Sequence, residues 1–130
     1  MATVLINEHD EGVLSALALL LRDSGYEVLE SDDSEGALET IAGGSPDVLL
    51  TDVNMPGMTG VQLIKQVRRS HPGLGIIAMS GGGMHQNPEL ATTLAGIAGA
   101  DRVLEKPFTN ESLLSDVSAL LSSARRARGR

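Results

Sequence analysis

The stretch LLTDVNMPGMTG, residues 49–60, runs an apolar segment into Asp52 and then breaks at Met55-Pro56-Gly57. Residues 47–52 are short and rich in Val and Leu, so they read as a buried strand, and Pro and Gly directly after them mark a turn. A carboxylate ending a buried strand is costly unless it is solvated or paired. The rest of the chain must therefore supply partners for Asp52.

Outward from this segment the same alternation repeats. Strands are predicted at 3–7, 26–30, 47–52, 75–80 and 102–106, and helices at about 11–24, 34–43, 60–70, 88–99 and 110–124. In the first helix Val13, Leu14, Leu17, Leu20 and Leu21 make an apolar stripe, and Gly25 follows as a stop. Ser34 is the expected cap of the second helix, which ends at GGSP (43–46), and Thr109 the expected cap of the last. Five β-α units with short right-handed connections predict an α/β fold. Its form is a doubly wound, five-stranded parallel sheet of order 2-1-3-4-5, flavodoxin-like.

Length and composition agree. A chain of 130 residues is expected to be one domain, here residues 1–124, with 125–130 as a basic C-terminal tail. The core is built from aliphatic residues, because one Tyr, one Phe and no Trp leave few aromatics for stacking on bases. The absence of cysteine excludes disulfide and thiolate chemistry. No signal-peptide pattern and no apolar run near roughly 18 residues is present, so a soluble cytoplasmic protein that makes no membrane contact is expected. Net charge is −7. Four of the ten basic residues lie in the last six positions, which leaves six bases against 17 acids before them, a net −11. Such a body should repel nucleic acid.

In an open α/β sheet the ligand crevice lies beyond the carboxyl ends of the strands. Those ends deliver Glu8, His9 and Asp10 from strand 1, Asp52 from strand 3, Ser80 from strand 4, and Lys106 followed by Pro107 from strand 5. Carboxylates call for a cation, and an ammonium with a hydroxyl calls for an anion rich in oxygen. A metal ion and a phosphoryl group satisfy both demands.

With these residues in place, DVNMPGMTG (52–60), SG (80–81) and KPF (106–108), in this order and spacing, resemble the receiver domain of two-component response regulators, in a single-domain, chemotaxis-regulator-like form. The match covers about residues 3–122. The resemblance implies that Asp52 accepts a phosphoryl group from a phosphohistidine on a sensor histidine kinase or phosphotransfer protein. It implies that Lys106 holds a phosphoryl oxygen, that Ser80 hydrogen-bonds another, and that the backbone carbonyl of Asn54 joins Glu8, Asp52 and the residue at position 9 around Mg²⁺. A downstream protein target is implied as well. Such a domain catalyses its own aspartyl phosphorylation and dephosphorylation and is not a conventional enzyme.

Three features depart from the family pattern. His9 stands where a second acid usually binds the metal. Imidazole suits zinc, nickel or copper better than Mg²⁺, so weaker Mg²⁺ binding is expected if His9 is a ligand, and a surface histidine without a metal role is the alternative. Val103 stands where an aromatic residue usually swings inward. Between Ser80 and Lys106 the chain is about four residues longer than usual, with GGGMHQNPE (81–89) as the extra loop, read as a flexible connection. Activation is accordingly expected to travel through Ser80 to about Leu90 and helix 4.

His9 and Val103 also motivate a second reading, a degenerate receiver that binds partners without phosphorylation. A haloacid dehalogenase-type phosphatase shares the Asp, Ser and Lys logic. It places its nucleophile after the first strand with an aspartate two residues on, whereas residue 54 here is Asn.

Overall fold

The computed structural model describes residues 2–81, 93–96 and 98–128. Its elements are β1 (Thr3–Asn7), α1 (Glu11–Asp23), β2 (Glu27–Ser31), α2 (Ser34–Ala42), β3 (Val48–Asp52), α3 (Gly60–Ser70), β4 (Gly75–Ser80), a helix α4 described at residues 93–96 and 98, β5 (Arg102–Glu105) and α5 (Asn110–Arg128). The strands form one parallel sheet in the order β2-β1-β3-β4-β5, as the sequence predicts.

Period-two alternation divides the core between the two faces of the sheet. Val4, Ile6, Val48, Leu50, Ile77 and Met79 pack with Leu14, Leu17 and Leu21 of α1 and Leu113 and Val117 of α5. The intervening Leu5, Leu49, Ile76 and Ala78 pack with Ala37 and Ile41 of α2, Leu63, Ile64 and Val67 of α3, and Ala95 of α4. Each Val, Leu, Ile or Met among them contributes about 1.5–3 kcal/mol on burial. The strand ends are thus held by a core on both sides.

Local chemistry sets the helix bounds. Asp10 caps α1 by accepting the Val13 N–H at 3.1 Å. The cap of α2 is Asp33, which accepts the Gly36 N–H. This corrects the expectation for Ser34, which is the first helical residue and is buried. A carboxylate one residue earlier is the stronger acceptor at a helix N-terminus, and it leaves the Ser34 hydroxyl free to meet β1. Thr59 and Gln62 form a reciprocal capping box on α3, and Thr109 caps α5 through the Ser112 N–H at 3.0 Å. The last helix continues past its expected end at 124 to Arg128, with no Gly or Pro before Gly129 to stop it. Of the GGGMHQNPE loop only Gly81 falls within the described residues, and His85 lies outside them, as does the first part of the helix expected at 88–99.

Far from the strand carboxyl ends, Arg68 ties α3 to the loops that lead into β4 and β5. Its guanidinium donates to the carbonyls of Gly99, Pro72 and Leu74 and to Asp101 Oδ2, at 2.7 to 2.9 Å. Asp101 Oδ2 also accepts the Ile76 N–H.

Candidate functional site

The strand ends place Glu8, Asp52 and Lys106 in direct contact. Lys106 Nζ donates to Asp52 Oδ2 at 3.0 Å and to Glu8 Oε2 at 3.2 Å, joining residues 54 and 98 positions apart. Asp52 and Glu8 are almost wholly buried, and the Lys106 side chain is about one-fifth exposed. The other carboxylate oxygens have backbone donors, Asn54 N–H on Asp52 Oδ1 at 2.9 Å and Asp10 N–H on Glu8 Oε1 at 3.2 Å. Asp52, which the sequence left in need of partners, has both a cation and an amide.

Electrostatics follow from two acids sharing one base. Burial pushes the Glu8 carboxyl above its ordinary value of 4.5, and the charge of nearby Asp52 pushes it further, against the opposing pull of Lys106 and the Asp10 N–H. Burial alone would lower the Lys106 ammonium. Its hydrogen bond to Asp52 and the charges of Asp52 and Glu8 outweigh burial and hold it above 10.5.

The turn after Asp52 is fixed by close packing. Gly57 has φ +71°, a conformation that favours glycine, and Met55 is buried. A Cβ on Gly60 would overlap the Asp52 carbonyl oxygen and lie 2.6 Å from Val53 Cα, so α3 begins directly against the Asp52 backbone. On β4, Ser80 is fully buried and its carbonyl accepts the Lys106 N–H at 2.7 Å. The Lys106–Pro107 bond is cis. Val103, at the usual aromatic position, is half-buried on the α2–α4 face.

His9 lies at the rim, 46% exposed, with Nδ1 3.8 Å from Glu8 Oε1. Glu8, His9 and Asp52 each offer a ligand atom, and these lie within 4.8 Å of one another. Asp10, expected as a further acid at the crevice, instead turns to cap α1. Beneath this layer lies a polar group that the sequence reading did not pick out. Asn7 Nδ2 donates to Ser34 Oγ and Thr51 Oγ1, each at 3.1 Å, and Thr51 Oγ1 donates to the Asp52 carbonyl at 3.0 Å. The signal was a buried Asn directly before Glu8 and a Thr directly before Asp52, in strands otherwise aliphatic. Among the described residues Asn7 Oδ1 has no hydrogen-bond partner.

A central doubly wound sheet with a carboxylate, an acid and a lysine at its carboxyl edge is the architecture of a signalling receiver. The response regulator receiver domain family matches residues 4–118, and the chain belongs to that family, as a receiver domain of two-component response regulators. It is 35% identical over 119 residues to response regulator MprA of Mycobacterium ulcerans, covering 91% of this chain and 49% of that protein. It is 33% identical over 122 residues to the DNA-binding transcriptional regulator NtrC of Azospirillum brasilense, covering 94% of this chain and 24% of that protein. The chain thus spans about half the length of the one and a quarter of the other. Among solved structures, a response regulator from Chloroflexus aurantiacus superposes with a TM-score of 0.84 at 35% identity, covering 93% of this chain and 98% of that one. Chemotaxis protein CheY4 of Vibrio cholerae superposes with 0.81 at 31% identity, covering 92% and 98%. No helix among the described residues is long and apolar enough to cross a membrane.

Receiver domains typically bind Mg²⁺ at acidic residues, and Glu8 and Asp52 form such a group here. Mg²⁺ demands near-octahedral oxygen donors. With His9 the donor set is one nitrogen and two carboxylates, which suits a divalent cation that accepts imidazole and departs from the Mg²⁺ preference.

Proposed function

We propose that this receiver accepts a phosphoryl group on Asp52 from a phosphohistidine of a sensor histidine kinase or phosphotransfer protein and signals to a downstream protein target. The observation that carries the reading is the buried Asp52 carboxylate held at 3.0 Å by Lys106 at the carboxyl edge of the sheet. A carboxylate oxygen of Asp52 attacks phosphorus, the P–N bond to the donor imidazole breaks, and the imidazole nitrogen keeps the electron pair. The product is an aspartyl phosphate.

Lys106 is the cation, paired with Asp52 and Glu8, that stays beside the incoming phosphoryl oxygens as charge gathers there, and Ser80 contributes its hydroxyl to another oxygen. Phosphoryl transfer draws most of its acceleration from such positioning and charge stabilisation. Residues 1–124 act as the receiver in a cytoplasmic setting, residues 125–130 form a basic extension, and neither nucleic acid nor membrane is a ligand of this unit. Mg²⁺ is held weakly, because Glu8 and Asp52 supply oxygen but His9 does not. Intact-mass measurement after acetyl phosphate treatment tests the reading, with one phosphoryl group expected on the wild type and none on Asp52→Asn. A gain that persists in Asp52→Asn removes Asp52 as the acceptor.

A second reading, a receiver that binds partners without phosphorylation, is favoured by His9 and by Val103, which has no polar tip and can only repack. Absence of any mass gain, together with undiminished partner capture by Asp52→Asn, selects it.

A further inference from the structure

We propose that Glu8, His9 and Asp52 form a mixed nitrogen–oxygen site for a late first-row divalent ion such as zinc, with His9 as a direct ligand through its imidazole. The inference deepens the receiver reading by naming the metal of the same crevice. It stands on placement. The two carboxylates are buried, whereas His9 sits at the solvent edge directly above Glu8, where an ion arriving from water meets the imidazole first. Among the described residues, Glu8 is the one carboxylate within 4 Å of a His9 ring nitrogen.

The spacing suits one ion. Zinc bonds nitrogen and carboxylate oxygen at about 2.0–2.2 Å, so two tetrahedral ligands stand roughly 3.4 Å apart. Glu8 Oε1 and His9 Nδ1 are 3.8 Å apart, a separation that a small turn of the half-exposed imidazole closes. Asp52 completes a group whose ligand atoms fall within 4.8 Å.

Charge favours the same class of ion. Lys106 lies against both carboxylates, so two negative charges and one positive charge leave the crevice with a single net negative charge. A second acid at position 9 would restore a further negative charge and a hard oxygen for Mg²⁺. The imidazole offers neither, but it is a good donor to borderline ions. The residue that weakens the site for one metal is the residue that suits it to another.

Any site of this kind binds zinc more tightly than magnesium, because affinity follows the general order of the divalent ions. The informative result is therefore the dependence on residue 9. Calorimetric titration of the metal-free full chain with zinc, and separately with magnesium, compares wild type, His9→Ala and His9→Asp. His9→Ala should lose zinc affinity by roughly tenfold or more, and His9→Asp should gain magnesium affinity by about tenfold. Cobalt absorption spectra, read on the same proteins, should differ between wild type and His9→Ala because a nitrogen ligand is lost. Zinc affinity and cobalt spectrum unchanged in His9→Ala, or magnesium affinity equal in wild type and His9→Asp, overturns the inference. No phosphoryl transfer enters these measurements. Intact His9-dependent zinc binding without phosphorylation fails the phosphoacceptor reading alone, and phosphorylation with metal binding indifferent to residue 9 fails this inference alone.

Discussion

Replacing Glu8 with glutamine should stabilise the metal-free protein at neutral pH. Glu8 is buried, shares its one cation with Asp52, and has its carboxyl pushed above 4.5 by burial first and by Asp52 second. A carboxyl whose folded value is raised binds its proton more tightly folded than unfolded. Its contribution to stability is therefore complete below about pH 4.5 and is lost as pH climbs through the raised value. Once ionised, the group is a net burden on the fold.

Glutamine keeps the shape and removes the charge. Its carbonyl can still accept the Asp10 N–H, its amide can donate to the Asp52 carboxylate, and Lys106 retains Asp52 at 3.0 Å. Removing the second buried acid while Lys106 keeps Asp52 as its counter-ion, less the lost Lys106–Glu8 hydrogen bond, is worth on the order of 1 kcal/mol. For a domain of this size that is a rise in Tm of roughly 3 to 5 °C per kcal/mol. Urea unfolding of wild type and Glu8→Gln in chelator, from pH 4 to pH 8, reads the difference. The gain should be largest at pH 7 and above and should shrink toward zero near pH 4. Destabilisation by Glu8→Gln at pH 7, or a difference that ignores pH, would refute the claim that Glu8 is held against its preferred charge.

Two further substitutions probe the frame around the site. Gly60→Ala places a methyl group against the Asp52 carbonyl and the Val53 Cα, so it should cost about 1–3 kcal/mol in urea unfolding and slow phosphoryl acceptance by displacing Asp52. Arg68→Lys should cost about 2–4 kcal/mol, because one ammonium cannot serve the Gly99, Pro72 and Leu74 carbonyls and Asp101 together, while phosphoryl acceptance at the opposite end of the sheet persists.

Most of the architecture was legible because it depends on pattern. Val4, Ile6, Val48 and Leu50 alternate with Leu5 and Leu49, and the strand ends follow from where that alternation stops at Glu8 and Asp52. The pairing of Asp52 with Lys106 was legible from strand order, since parallel strands deliver their last residues to one edge. The layer beneath was not. Nothing in the spacing of Asn7, Ser34 and Thr51 reveals that they meet, because the contact depends on which face of the sheet α2 covers. Asp10 was misplaced for a related reason. A carboxylate beside the crevice and a carboxylate at a helix start look alike in sequence, and only the entry angle of α1 decides that it bonds Val13 N–H. Ser34 and Asp33 were confused because both are good caps one residue apart.

The same contacts decide which parts of the site can respond to a change of charge on Asp52. Its backbone is fixed on several sides, by Gly60 packed on the carbonyl, by the Thr51 hydroxyl bonded to that carbonyl, and by strand pairing to Met79. Asp52 cannot retreat from an added phosphoryl group. Lys106 can shift instead, since its side chain is partly exposed and shared between two acids. A phosphoryl group that draws Lys106 toward Asp52 would loosen its hold on Glu8, whose Oε1 lies 3.8 Å from His9 Nδ1. Lys106 is also bonded through its N–H to the Ser80 carbonyl, and Gly81, at φ +96°, brings its backbone so close that an added Cβ would stand 3.3 Å from the Lys106 carbonyl oxygen. The backbone at Lys106 thus touches the end of β4 and Gly81, contacts through which a shift of the lysine could be passed on without any aromatic residue at position 103.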